Sequence, residues 1–200
     1  MVAALETYVG LVEVGVGIVP AGGGCKELLR RIVTPAMRAA PDAPALPFVQ
    51  RVFETIGLAK VATSAVEARE LGFLEEHDVI VLDADHQLAA ARREVLDLAD
   101  AYQPPAREDA TVYAAGRPGL AALELAVQTL QWAGQAGPHD GVVARQLARV
   151  LCGGELSLGQ WVPEQHILDL EREAFLALLR EPRTMERIQA FLTTGKVIRN

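Results

Sequence analysis

Aromatic side chains are scarce in this 200-residue sequence, at 5%, although half of its residues are hydrophobic. A β-sandwich, which buries aromatic and β-branched residues on alternating faces, is not expected. Ala, Leu and Val supply the apolar content instead, and they favour helices. Cysteine is nearly absent: Cys25 and Cys152 lie far apart and form no CxxC, so neither a disulfide framework nor a thiolate metal site is implied. The four histidines, His77, His86, His139 and His166, make no HxH or HxxxH pair, and no metal site is expected. No apolar run is long enough to span a bilayer, and the apolar start, Met1 to Val19, carries Glu6 and Glu13 and lacks a basic flank. A cytoplasmic protein without a membrane span is expected. A net charge of -7 argues against a nucleic-acid partner, because such a surface repels the phosphate backbone.

The pattern along the chain predicts a mostly α fold with a few short strands. From Val9 to Pro20, Val and Ile favour extended backbone, but Gly10, Gly15 and Gly17 interrupt it, so short strands and tight turns are expected. Ala21-Gly-Gly-Gly24 then leads into the helix-forming run Cys25 to Ile32. Pro35, Pro41, Pro44 and Pro47 mark a loop or broken helix. A helix is predicted over 48–58, with Val49, Val52, Phe53 and Ile56 on one face. Ser64 and Glu67 form a capping-box pattern for a short helix ending at Gly72. A brief strand at 79–82 precedes a long amphipathic helix, about 85–102, with Leu88, Ala91, Val95 and Leu98 on its apolar stripe. Residues 104–118 are expected as a linker between a first part, 1–103, and a helical subdomain, 119–200. The subdomain is predicted as helical throughout: 119–133, 140–151, 163–179 and 184–192, with Gly195 as a C-cap and Trp132 and Trp161 as core anchors.

The chemistry concentrates between Glu13 and Glu27. Glu13 sits among Val and Gly, and an apolar setting suits a carboxyl that works as acid and base. The Ala21–Gly24 turn presents backbone N–H groups at a helix start. Together they can hold a water or an oxyanion. The plainer alternative is a strand-end Glu paired to an Arg beside a flexible turn. Lys26, Arg30, Arg31, Lys196 and Arg199 are candidates for phosphate contacts, with a solvated helix face or tail as the alternative. Cys25 at a helix start is read as either a lowered-pKa thiol or a small buried residue. His166 is read as a packed or surface histidine.

The segment Gly10-Leu-Val-Glu13-Val-Gly-Val-Gly17-Ile-Val-Pro20-Ala-Gly-Gly-Gly24-Cys-Lys-Glu-Leu28 resembles a signature of the crotonase (enoyl-CoA hydratase/isomerase) superfamily. With Glu6-Thr-Tyr8 ahead of it, the wording is similar to the crotonase region of large bacterial 3-hydroxyacyl-CoA dehydrogenase fusions. Asp169-Leu-Glu-Arg-Glu-Ala-Phe-Leu176, Glu186-Arg-Ile188 and Thr194-Gly-Lys-Val-Ile-Arg-Asn200 are similar to the C-terminal end of those fusions. The resemblance implies the C-terminal part of a crotonase-like α/β spiral fold followed by a helical tail. It implies Glu13 as one of two carboxylates that handle the catalytic water, and Ala21, where the family usually has Gly, as the N–H that helps hold it. Gly22, Gly23 and Lys26 follow as substrate-binding positions for an acyl-CoA.

The family's other catalytic Glu, its oxyanion donors and the NAD-binding motif of the fusion belong upstream of these residues. The expectation is therefore a piece of a longer or split protein, with no cofactor of its own, NAD implied for the full-length fusion, and little or no hydratase activity alone. Its expected partner is the upstream dehydrogenase/crotonase half, in cis or as a separate chain. A homo-oligomer, or a non-catalytic docking or oligomerisation module, is the other expectation.

Overall fold

The computed structural model describes residues 1–103 and 110–200. The fold is mostly helical with a few short strands, and the described residues divide into two compact units. No helix among the described residues is long and apolar enough to cross a membrane.

The first unit comprises residues 1–10 and 61–110. Strand β1 (Val2–Ala4) comes first, and β2 (Val9–Gly10) runs antiparallel to β3 (Val61–Ala62). Helix α4 (Ala65–Leu71) is delimited by local chemistry. The Ser64 hydroxyl accepts the Glu67 N–H at 3.2 Å. The reciprocal half of the capping box is replaced: the Glu67 carboxylate takes the N–H of Thr63 at 2.7 Å and its hydroxyl at 2.8 Å. At the other end Gly72 adopts φ +87°, and the N–H groups of Phe73 and Gly72 close onto the carbonyls of Ala68 and Arg69, a Schellman ending. Strand β4 (Val79–Val81) lies parallel to β1 with Ala3 opposite Ile80.

Helix α5 (Gln87–Ala99) follows a 3-10 turn at Ala84–His86. Its phase differs from the expected one. Leu88, Val95 and Leu98 are exposed, at 82%, 65% and 60%, and Ala90 is the buried residue. Gln87 sets this phase by donating its side-chain amide to the Val2 carbonyl at 3.0 Å, which turns the Gln87/Ala90 side toward β1.

The second unit comprises residues 11–60 and 111–200. A 3-10 turn at Glu13–Val16 is followed by α1 (Gly24–Leu28), a π turn at Leu29–Val33 and α2 (Thr34–Ala39). The widened turn falls just ahead of Pro35, which has no N–H to continue the regular ladder. Helix α3 (Leu46–Gly57) buries Val49, Val52, Phe53 and Ile56, the face its periodicity predicts.

Of the expected linker, residues 104–109 lie outside the described residues; Thr111–Ala114 forms β5, and α6 (Gly116–Trp132) begins soon after. The later part is not helical throughout. After α7 (Pro138–Leu151), strand β6 (Gln160–Pro163) pairs antiparallel with β5, Val112 opposite Val162. Tyr113 and Trp161 meet edge to face across this pair at 5.4 Å, and Arg38 lies over the Trp161 ring. Trp161 is 42% exposed and Trp132 76% exposed, so neither is the expected core anchor. Helices α8 (Glu164–Leu179) and α9 (Pro182–Thr194) complete the unit, with Gly195 as the left-handed C-cap of α9. The core is aliphatic: Leu28, Leu29, Met37, Leu123, Leu147, Leu151, Ile167 and Leu178 are essentially inaccessible. Helix α7 packs against α3, α6 and α8, and α8 also packs against α1.

Candidate active site

Glu13 opens the 3-10 turn, and its Oε2 atom is buried without a hydrogen-bond partner among the described residues. A carboxylate oxygen in that state is uncommon, since buried polar atoms are nearly always paired. The turn closes at Gly17 with φ +86°, and the Ile18 N–H reaches back to the Glu13 carbonyl at 3.3 Å. A Cβ on Gly17 would stand 3.0 Å from Thr184 Oγ1 and 3.2 Å from His139 Nε2, so the left-handed φ favours glycine and the space beside it is tight. The Thr184 hydroxyl donates to the Gly17 carbonyl at 2.9 Å, and its oxygen lies 2.9 Å from His139 Nε2. With its proton committed to Gly17, Thr184 accepts, so His139 carries its proton on Nε2. Burial, then the nearby Arg187 charge, pushes His139 below its usual range and keeps the ring neutral.

The glycine turn is held from elsewhere. Glu171 of α8, fully inaccessible, accepts the Gly23 N–H at 2.7 Å and the Lys26 N–H at 2.8 Å. A carboxylate at the start of α1 is thus supplied by the protein itself, favoured by the orphan N–H groups there. Burial pushes the Glu171 carboxyl up, while the Lys26, Gly23 and Cys25 N–H groups pull the other way. Cys25 is fully buried; burial raises its thiol well above the usual value, and the charges of Glu171 and Glu13 add to the rise. The thiol therefore feels both carboxylates, and of the two readings of Cys25 the structure shows the small buried residue.

The structure assembles Gly23 and Lys26 with Glu171, and leaves Ala21 and Gly22 exposed at the surface of the turn. The Lys26 ammonium pairs with Glu27 and, at 3.2 Å, with Glu164. Arg30 and Arg31 also reach Glu27, at 2.9 and 3.2 Å. Burial opposes the charge on Glu27, but Lys26 and Arg30 outweigh it and bring the carboxyl down to about 2. His166 Nε2 lies 3.0 Å from the Gly153 carbonyl, a packed rather than a free ring. Lys196 and Arg199 lie in the exposed tail. Val14, next to Glu13, lines a cavity of about 490 Å³ together with Phe53, Leu58, Leu130 and Val143.

Glu171, Thr184 and His139 were not singled out from the sequence. Glu171 did leave a signal: it occupies the apolar stripe of α8 formed by Ile167, Leu170, Ala174 and Leu178. Thr184 and His139 sit in the first turns of their helices, where each reads locally as a terminal polar residue.

No protein-family model matches this chain. It is 42% identical, over 203 aligned residues, to a protein of Bacillus subtilis (strain 168) named "Probable 3-hydroxyacyl-CoA dehydrogenase". The alignment takes in 99% of this chain and 24% of that protein, so the chain spans about a quarter of the relative's length.

Proposed function

We infer that this chain is part of a fatty-acid β-oxidation enzyme of the 3-hydroxyacyl-CoA dehydrogenase/enoyl-CoA hydratase type, acting on acyl-CoA thioesters in the cytoplasm. Glu13 is its acid/base carboxyl for water addition to an enoyl-CoA. The observation that carries this reading is the buried, unpartnered Oε2 of Glu13. A carboxylate oxygen with no hydrogen-bond partner among the described residues retains an acceptor for a reacting water. The relative's name and the resemblance of Gly10–Leu28 to the hydratase signature support the substrate class.

In this reaction the Glu13 carboxylate takes a proton from water as the water oxygen bonds to C3 of the 2,3-double bond. The π electrons move toward the thioester carbonyl, and C2 then gains a proton from the second carboxylic acid that the resemblance implies upstream. The N–H of Ala21, exposed in the turn, helps orient the water. The enolate oxygen requires two further N–H donors, which the resemblance also places upstream. Glu171 occupies the Gly23 and Lys26 amides, so those two are not open to a ligand.

The NAD implied by a dehydrogenase name finds no fit among the described residues. Their parallel strands are the three-residue pair β1 and β4. The glycine turn follows a 3-10 turn and has two of its amides on Glu171, so a pyrophosphate has no cradle there. No step of this chain runs through the nicotinamide.

The test is hydration of crotonyl-CoA, followed by loss of the enoyl absorbance, with the chain alone and mixed with a separately produced dehydrogenase and first crotonase half of the kind the resemblance implies. Activity that appears on mixing and falls on the order of 100-fold or more in Glu13→Gln supports the reading. Activity untouched by Glu13→Gln overturns it. A second reading, a non-catalytic docking module for a separate dehydrogenase chain, is favoured by the exposed Leu88, Val95 and Leu98 of α5. It predicts binding of the partner without hydration, lost when these three become Lys or Glu.

A further inference from the structure

The 3-10 turn that carries Glu13 is four residues long, has no side-chain cap and buries none of its residues fully. Such a turn has poor internal hydrogen-bond geometry and little rigidity of its own. Its conformation is therefore set by what holds its ends, and Gly17 is the closing end. The Gly17 carbonyl takes the Thr184 hydroxyl, which in turn takes the His139 Nε2 proton.

Both partners are buried, Thr184 at 0% and His139 at 2% exposure. Neither hydroxyl nor ring is explained by helix capping: the start of α9 is closed by backbone bonds from Thr184 and Met185 to the Glu181 carbonyl. The two donors point in one direction, ring to hydroxyl to carbonyl, so each strengthens the next. Beside them, Arg187 of α9 lies 2.8 Å from Asp140 of α7, an ion pair by distance although the Nη2 hydrogens do not line up on the carboxylate. Arg187 also donates Nε to the Asn200 side chain at 2.8 Å. The Arg187–Asp140 pair ties α9 to α7, so that Thr184 meets Gly17 from a fixed base.

We propose that Thr184, backed by His139, is a positioning residue that sets the Glu13 carboxyl by fixing the Gly17 end of its turn. The proposal rests on the acid/base reading of Glu13. A Cβ at Gly17 would press on Thr184 Oγ1 at 3.0 Å and strain the positive φ, and one 3-10 turn separates it from Glu13, so a rotation at one end moves the other.

The experiment uses the whole 200-residue chain labelled with 13C at glutamate carboxyl carbons. The Glu13 resonance is assigned by its loss in Glu13→Gln. Thr184→Val, which keeps shape and removes the hydroxyl, is expected to shift that resonance, and Thr184→Ser to restore it. In the reconstituted hydration assay, Thr184→Val should lower kcat on the order of 10-fold to 100-fold with KM little changed, and Thr184→Ser should recover most of it. Should Thr184→Val not fold, Thr184→Cys, whose thiol donates weakly, is read in the same way.

A lowered Tm with the Glu13 resonance and kcat left at wild-type values overturns the proposal and makes Thr184 a stability contact alone. The two readings fail separately. Hydration that survives Glu13→Gln removes the acid/base role but leaves the resonance test to decide whether Thr184 places the carboxyl. Loss of hydration in Glu13→Gln with an indifferent Thr184→Val removes only the positioning role.

Discussion

Replacing Glu171 by alanine removes an acceptor that two amides share. The carboxylate is fully inaccessible and takes the N–H of Gly23 at 2.7 Å and of Lys26 at 2.8 Å. Truncation leaves both donors without their partner, the Gly23 amide buried and the Lys26 amide partly so. Each orphaned N–H costs about 1–2 kcal/mol, and relief of the buried charge offsets part of the void left by the side chain. A loss of about 2–4 kcal/mol follows, a large share of the 5–15 kcal/mol typical of a domain. Glu171→Gln keeps the shape and one acceptor but turns an NH₂ toward the second donor, so it should lose less, about 1–2 kcal/mol.

The assay is urea unfolding followed by far-UV circular dichroism, with the shift read at constant m. The pH profile adds a second readout. Burial raises the folded-state carboxyl above 4.5, so the folded chain binds more protons than the unfolded chain between the two values. Its contribution is therefore full below 4.5 and declines as pH rises through the raised value. Glu171→Gln removes that decline. A loss under about 1 kcal/mol in Glu171→Ala would refute the claim that this carboxylate holds the turn.

Three further outcomes are expected. His139 is held below 6.5 by burial first and then by Arg187 and Arg183, with Glu181 and Asp140 opposing; the unfolded chain then binds more protons in that window, so Tm should fall as pH drops from 6.5 through the depressed value, and His139→Gln should flatten that slope. Gly17→Ala, at φ +86° and with a Cβ 3.0 Å from Thr184 Oγ1, should cost more than about 1 kcal/mol in the same urea titration; a neutral result would mean the turn has another way to close. Cys25 and Cys152 should be silent to a thiol reagent in the native chain and react together in urea, since burial raises Cys25 well above its usual value and takes Cys152 to about 12; fast labelling of either without denaturant would contradict their burial.

The parts of this protein that sequence alone determined are those governed by neighbours within one or two turns. Ser64 and Gly72 delimit α4 because a hydroxyl and a left-handed glycine satisfy helix-end groups a few residues away. Val49, Val52, Phe53 and Ile56 face the core because a helix repeats every 3.6 residues. Glu13 and the glycine turn were legible as a pattern for the same local reason.

Tertiary structure decided everything that joins distant residues. The apolar stripe around Glu171 announces its burial but not the turn it holds 148 residues earlier, and nothing near Thr184 points to Gly17. The β5–β6 pair joins two four-residue strands whose hydrogen bonds exist only once the chain has folded. Periodicity found the apolar stripe of α5, but the bond from Gln87 to Val2 determined which face turned inward. Local propensity fixes where helices begin and end, and long-range hydrogen bonding and burial fix what they hold.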